Sequence, residues 1–495
     1  MNHLTKTDFI QYLNCPESLW LLKNKKEEYN KHKGEFSEFQ QKIIDEGYQV
    51  EEYAEKLFPE AINIPTANTS VEETKEKLSG IGVSFLQPSF SYSSCFARID
   101  ILEKLDDNTY HIYEVKSSTS IKTGKTQNHI IDASFQKYVM ENAGYSVSKI
   151  SLIYLDKEYR KNGEIIASDL LKVEEITDRV NEIYTETRNN IKQAIRFINL
   201  ESIDETICSC YSNTQSNHCD SFSYFNDKIT DSSIYKLAGI RRNKIEDLIS
   251  MDCISLLDIP VDYKLSSRQA SQIESLRLNQ PIFNKGNIKK TLSSLQFPLH
   301  FFDYETYASA IPKVDGIGPH KHLVFQVSMH TMYEDGSIEH FEWLGKKMEL
   351  PTEMLEKMQD KTGYNGTFIS WNSPFENLCN KQMIESIPNH ADYLNYINSN
   401  MFDLMIIFKE DYIDYRFQGS SSIKKVLPIL CPEPKLSYKN LSIQDGSMAM
   451  DSWGKMVLDT NFNKDINKTR KELLEYCKLD SLAMLEIYKK LLNLV

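Results

Sequence analysis

The sequence contains no run approaching the ~18 consecutive apolar residues that a membrane-spanning helix requires. Its opening, Met1-Asn2-His3-Leu4-Thr5-Lys6, has no apolar stretch of the kind that starts a secretory signal peptide. The expectation is a cytoplasmic protein with no membrane partner. Positive charge is also scarce: 57 Lys and Arg stand against 70 Asp and Glu, a net charge of −13. That balance counts against a nucleic-acid partner, because phosphate contacts draw on Lys and Arg. It leaves room for a local basic groove lined by Lys23, Lys25 and Lys26, by Arg241, Arg242 and Lys244, or by Lys285, Lys289 and Lys290; for each cluster a solvated surface is the plainer alternative. Internal repeats and low-complexity tracts are missing too.

What is present is ordinary for a globular chain: 495 residues, 41% hydrophobic and 26% charged, enough for two to four domains with cores of their own. Helical spacing of apolar residues predicts helices from Thr7 and between Phe36 and Leu57. Strands are expected at Cys95–Leu102 and Tyr110–Val115, joined as a hairpin by the turn residues Asp106-Asp107-Asn108. A helix at 133–142, a strand at 149–155 and a helix at 173–200 follow, then a cysteine-rich loop at 208–219. Residues 226–296 read as a connector of short helices. From Phe297 a second alternation of strands and helices begins, giving an α/β fold.

Carboxylates gather at two places. In the first, Asp100 and the pair Glu114 and Lys116 lie at the ends of apolar strands, where an unpaired charge is costly to bury. Residues i and i+2 of a strand share a face, so Glu114 and Lys116 point together and Asp100 can reach the same spot. Phosphodiester hydrolysis needs a water nucleophile, a Lewis acid and a cation, and this set can supply their holders. A surface ion pair is the default for Glu-x-Lys alone. Together with Gly47 and Glu51 on a helix, Arg98-Ile99-Asp100, and Gln136 with Tyr138, the region 1–225 resembles the RecB-like branch of the PD-(D/E)xK nucleases. The resemblance implies a restriction-endonuclease-like core, with Mg or Mn held by Glu51, Asp100 and Glu114, and with Lys116 and Gln136 catalytic. The branch often has a His ligand on its helix; no His stands there in this chain, and Glu51 is the substitute.

Nine cysteines in a cytoplasmic chain are expected as free thiols or metal ligands. Cys15 comes early, and Cys208, Cys210 and Cys219 cluster late. One early and three late cysteines bracketing the nuclease core resemble the iron–sulfur members of the same branch, which implies a 4Fe-4S cluster. The same four thiolates suit tetrahedral Zn, and the Cys-x-Cys-x8-Cys spacing departs from the more usual pattern. Cys95, Cys253, Cys379, Cys431 and Cys477 sit among apolar residues and read as packing.

The second gathering runs over residues 297–495. Asp303 and Glu305 share a face of a strand, Glu376 opens a helix after the strand Phe368–Asn372, and Tyr476 and Asp480 are i, i+4 neighbours on a late helix. In that order the residues resemble the DnaQ-like (DEDD) 3′–5′ exonucleases of ribonuclease-H-like fold, in the variant with Tyr in the third motif. The resemblance implies two Mg or Mn ions ~3.5–4 Å apart, held by Asp303, Glu305, Glu376 and Asp480, with Tyr476 orienting the water. Glu376 stands where the family has Asp; Asp403 suits a structural role better. The stretch Phe417–Pro428, with Gly419 and Ser420–Ser422 before a basic helix, reads either as a phosphate cradle or as a plain capped helix. The expectation for the whole chain is a metal-dependent DNA nuclease in repair, recombination or defence against foreign DNA. The alternatives are an RNA-processing exonuclease and a nucleic-acid-binding scaffold with a vestigial site.

Overall fold

The computed structural model describes residues 3–66, 69–81, 83–106, 108–463 and 465–495. The chain is α/β and divides into two compact units: residues 1–229 with Gly318–His320, and residues 230–317 with 321–495. Among the described residues no helix is long and apolar enough to cross a membrane.

In the first unit a six-stranded mixed sheet runs, edge to edge, through Ile62–Asn63, Ser84–Leu86, Ile101–Lys104, Tyr110–Lys116, Val147–Leu155 and Leu171–Glu175. Ile101–Lys104 and Tyr110–Lys116 form the expected antiparallel hairpin, with Ile101 opposite Tyr113. Asn108 in its turn takes the left-handed conformation at φ 59°, as Asn does more readily than most residues; Asp107 lies outside the described residues. Tyr110–Lys116 and Val147–Leu155 are parallel and are bridged by the helix His129–Asn142, whose cap Asn128 accepts from the Ile130 and Ile131 amides.

Two expected boundaries move. The strand predicted over Cys95–Leu102 is broken: Cys95–Arg98 pairs with Ser89–Tyr92 in a separate ribbon, and Ile101–Lys104 joins the main sheet. Asp100 therefore sits at a bend between two strands. The helix predicted from Val173 begins at Thr177, because Leu171–Glu175 pairs with Val147–Leu155 as an edge strand. Long-range strand pairing overrides local helical periodicity there.

In the second unit a five-stranded sheet is ordered Ile338–Leu344, Leu323–Met332, Leu299–Tyr307, Thr367–Ser370 and Met401–Asp403. The first two pairings are antiparallel and the last two parallel. The 27-residue helix Ile466–Leu492 packs on it, burying Leu473, Ala483, Met484 and Ile487 against Phe301, Phe325 and Ile369. The stretch expected as a separate connector belongs mostly to this unit. Ile282–Phe283 pairs with Tyr412–Ile413, and Gln272 Oε1 accepts from the Ala238 amide at 2.8 Å. Gly419, at φ 75°, packs so closely on this stretch that a Cβ would lie 2.3 Å from the Lys236 carbonyl.

Candidate metal centres

In the second unit the central strand runs two pairs of residues beyond Asp303, to Tyr307, so Asp303 and Glu305 lie within the strand rather than at its end. Its parallel neighbour covers only Leu299–Phe301, paired with Thr367–Ile369. Past that point, among the described residues, no strand pairs with it on that side, so Asp303 and Glu305 lie beyond the paired stretch at the carboxyl ends of parallel strands, where open α/β sheets bind ligands. Glu376 enters from the first turn of the helix Pro374–Ser386, which follows the turn residue Asn372 at φ 75°.

Asp480 and Tyr476 come from the last helix. A buried polar ladder fixes where that helix docks: Gln326 Nε2 donates to the Leu473 carbonyl at 2.8 Å, and Ser481 Oγ bonds both Ser328 Oγ (2.8 Å) and His330 Nδ1 (2.9 Å). Ser328 is the residue paired with Asp303 in the sheet. Each added bond ties one turn of the helix to one register of the strand, which turns Asp480 toward Asp303.

The electrostatics are those of a site short of positive charge. Burial, then Asp480, Glu305 and Glu376, push Asp303 well above the ordinary carboxylate range. Burial and Asp480 do the same to Glu305, and Lys424 opposes them. Burial raises Glu376 to about 8. Burial also raises Asp480, though only to about 6, because the Tyr438 hydroxyl donates to it at 2.5 Å and Lys424 and Tyr476 pull the same way. Glu376 Oε2 is buried without a hydrogen-bond partner, which is rare and costly for a carboxylate oxygen. Ligand atoms of Asp303, Glu305 and Cys477 lie within 4.8 Å of one another. Glu376 and Asp480 bear on these acids electrostatically but do not belong to that tight group. The buried carboxylates and the orphaned oxygen suit hard divalent cations, which take oxygen ligands. Cys477 adjoins these acids as well as packing in the core; burial and the three nearest acids hold its thiol protonated.

Tyr438 and Lys424 are the residues the motif order does not reveal. Lys424 Nζ stands 5.6 Å from the Tyr438 ring centre and 5.9 Å from that of Tyr476, and donates to the Gln444 carbonyl at 2.7 Å. Asp403 accepts from the Asn372 and Met405 amides, a structural task. The hydroxyls of Ser420 and Ser421 are spent internally: Ser421 Oγ takes Arg268 and donates to the Phe408 carbonyl, and Ser420 Oγ accepts from the Ser422 amide.

The buried acids tie stability to pH. Glu376 has an ordinary value of 4.5 when unfolded and about 8 when folded. Below pH 4.5 it is protonated in both states and its contribution is complete; as pH rises toward 8 only the unfolded chain ionises freely, and stability is lost. The loss follows up to ~1.4 kcal/mol per pH unit. Metal-free wild type should therefore fall in urea stability relative to Glu376→Gln between pH 5 and 8. A difference that stays flat over that range would contradict a carboxyl raised by burial.

In the first unit Glu114 is fully buried. Its Oε1 accepts from Lys6 Nζ at 2.5 Å and Lys116 Nζ at 2.8 Å, and its Oε2 from Gln136 Nε2 at 2.6 Å. Burial alone would raise its pKa; Lys116 and Lys6 overcome that and hold it below the usual range. Lys116 also bonds Asp132 at 2.7 Å and, although burial opposes it, these acids raise its pKa so that it stays charged. Asp100 accepts from the Val115 amide at 2.8 Å, and burial with the Glu114 charge raises it to about 8. Glu51 is raised by burial and Glu114, and accepts from Gln87 at 3.4 Å. Glu51, Asp100 and Glu114 share one electrostatic neighbourhood but do not close to a tight ligand group; Lys6, from the first helix, supplies the nearest cation. Gln136 Oε1 is buried with no partner. Lys23 and Lys25, from the expected basic clusters, are engaged with Asp8 and Glu205.

The four cysteines do meet: Cys15, Cys208, Cys210 and Cys219 have their sulfurs within 4.8 Å of one another.

A model of a domain of unknown function (DUF2779) matches residues 300–422. That stretch takes in Asp303, Glu305 and Glu376 and stops before Tyr476 and Asp480. The uncharacterized protein MG366 homolog of Mycoplasma pneumoniae is 28% identical over 206 residues, 38% of this chain and 31% of that protein. The uncharacterized protein MG366 of Mycoplasma genitalium is 26% identical over 230 residues, 41% of this chain and 34% of that protein. The matched part thus spans about a third of the length of these curated relatives.

Proposed function

We propose that this chain is a metal-dependent nuclease that hydrolyses phosphodiester bonds of DNA exonucleolytically, with a DnaQ-like site in residues 297–495 and a RecB-like site in residues 1–225. The observation that carries the reading is the grouping of Asp303, Glu305, Glu376 and Asp480, one half-buried and three buried acids from three separate elements, with one carboxylate oxygen left unpaired. The strand order supports it: an antiparallel pair on one side of the Asp303 strand, a parallel pair on the other, and a helix carrying the last acid. These four acids would hold Mg or Mn. Such ions, when bound, neutralise charge at phosphorus and make water more acidic.

The chain's own residues do the rest. Burial and the neighbouring acids raise the Tyr476 phenol far above neutrality, so it orients a water as a hydrogen-bond donor or acceptor and does not act as a base. Tyr438 fixes the Asp480 carboxylate. Lys424 supplies the nearby positive charge that a phosphate oxygen seeks. In the first unit Glu51, Asp100 and Glu114 would hold the ion, Gln136 orients Glu114, and the permanently charged Lys116 stabilises the developing phosphorane charge. Lys6 favours a second reading for this unit alone, a nucleic-acid-binding scaffold with a vestigial site, because two ammonium groups already satisfy Glu114.

The experiment is hydrolysis by the purified chain, with Mg or Mn, of 3′- and 5′-labelled single- and double-stranded DNA and RNA. Mononucleotides released from DNA 3′ ends are expected. Preferential decay of RNA would move the activity to RNA processing, and intact polymers under every condition would end the nuclease reading. Repair, recombination and defence against foreign DNA are the settings in which such an activity belongs.

A further inference from the structure

The geometry of the four-cysteine centre bears on which of two groups it suits, an iron–sulfur cluster or a single tetrahedral ion. Cys15 lies between two helices, as the last cap of Lys6–Asn14 and the first of Pro16–Asn24. Cys208 and Cys210 sit in a turn, and Cys219 precedes the short helix Phe222–Phe225. All four sulfurs fall within 4.8 Å of one another.

That closeness decides between two chemistries. One tetrahedral ion with metal–sulfur bonds of ~2.3 Å spaces its four sulfurs roughly 3.8 Å apart, inside the observed limit. A 4Fe-4S cubane interposes four irons and four sulfides, and each cysteine sulfur stands outside a separate corner. Its thiolates are spread well beyond 4.8 Å, and the loop would have to open to admit it.

The surrounding contacts oppose opening. The Ser209 amide and hydroxyl both bond the Glu17 carboxylate at 2.9 Å, which ties the Cys208–Cys210 turn to the helix that Cys15 caps. Ser18 Oγ meets Ser221 Oγ at 3.1 Å, and the Tyr29 hydroxyl donates to Asp220 at 3.0 Å, holding the Cys219 side to Pro16–Asn24 and to the next helix, Lys26–His32. Asn226 Nδ2 points at Cys208 Sγ at 3.5 Å, a donor of the kind that steadies a metal-bound thiolate. Leu21, Tyr29 and Phe225 share a buried cluster with Cys15, Cys208 and Cys210, and Cys219 is half-buried against it.

We infer that Cys15, Cys208, Cys210 and Cys219 form a closed tetrathiolate site for a single d10 divalent cation, zinc, with a structural role. Binding releases the thiol protons and leaves no open position, so the site performs no chemistry of its own. The inference does not rest on the nuclease reading.

The test measures metal, not hydrolysis. The full chain, purified anaerobically from cells supplied with both iron and zinc, should be colourless and carry about one zinc per chain, with no stoichiometric iron or acid-labile sulfide. Cobalt exchanged into it should give the visible bands of a tetrahedral tetrathiolate. Cys210→Ser should lose tight zinc retention. If that variant does not fold, titration of the wild type with a mercurial reagent serves instead, with zinc leaving as four thiols react. Brown protein with iron and sulfide in equal amounts overturns the inference, and so does protein with neither metal whose cysteines bind none on reconstitution. DNA hydrolysis followed on the same preparations reports separately on the nuclease reading, which stands or falls without the zinc.

Discussion

Asp303→Asn should lower hydrolysis at the C-terminal site by ~10²–10⁴ and leave any activity of the N-terminal site untouched. The size follows from where Asp303 stands. Asp480, Glu305 and Glu376 all act on it, so it is the carboxylate at which the other three converge. Asn keeps the shape and removes the charge, and the remaining acids then present too little negative charge for a pair of divalent ions. The fold should survive, because burial and three neighbouring acids disfavour a charge at Asp303 in the metal-free protein, and Asn keeps the shape while carrying no charge to be repelled there. A higher melting temperature without metal, with a smaller gain on adding Mg, is the accompanying expectation. Lys116→Ala is the counterpart for the first unit: it frees Glu114 and Asp132 of a shared ammonium while the C-terminal products persist. If the variant carrying both changes degrades DNA as fast as wild type, neither group of acids is a nuclease site.

The two gatherings of acids were legible in the sequence because Asp100, Glu114, Asp303 and Glu305 interrupt apolar strand-like runs, and such an interruption marks a position that burial alone does not explain. Glu114 and Lys116 pair as the two-residue strand period requires. The i, i+4 relation of Tyr476 and Asp480 is likewise local. The partners that complete the sites were not legible. Lys6 reaches Glu114 across 108 positions, and Tyr438 reaches Asp480 across 42. A lysine on a first helix or a tyrosine in a single 3-10 turn carries no periodic signal that tells such a contact from a solvated surface. The strand break at Asp100 was hidden for a related reason: the two halves pair with different partners, and alternation within eight residues looks the same either way. Helical spacing after Val173 concealed an edge strand because its residues are mostly exposed and only the neighbouring strand selects the extended form.

Tyr476 and Asp480 lie one helical turn apart, yet their loss should be distinguishable. On the proposed reading Asp480 holds an ion and Tyr476 orients the water, so Asp480→Asn weakens metal binding and Tyr476→Phe leaves it close to wild type. Both should slow hydrolysis, Asp480→Asn by the ~10²–10⁴ typical of removing a charged group from such a site. Raising Mn should return part of the rate to Asp480→Asn and little to Tyr476→Phe. Acidity separates them further. Asp480 titrates at about 6, above its ordinary 3.8 because burial outweighs the opposing pull of Tyr438, Lys424 and Tyr476. Its proton must leave before an ion can bind, so the Mg needed for half-maximal rate should rise as pH falls below 6 in wild type, and from a somewhat higher pH in Tyr476→Phe, which loses one of those pulls. Asp480→Asn has no such proton and should lose that part of the dependence. Equal rescue of both variants by Mn, together with identical acid limbs, would mean that the last helix has been assigned the wrong two residues.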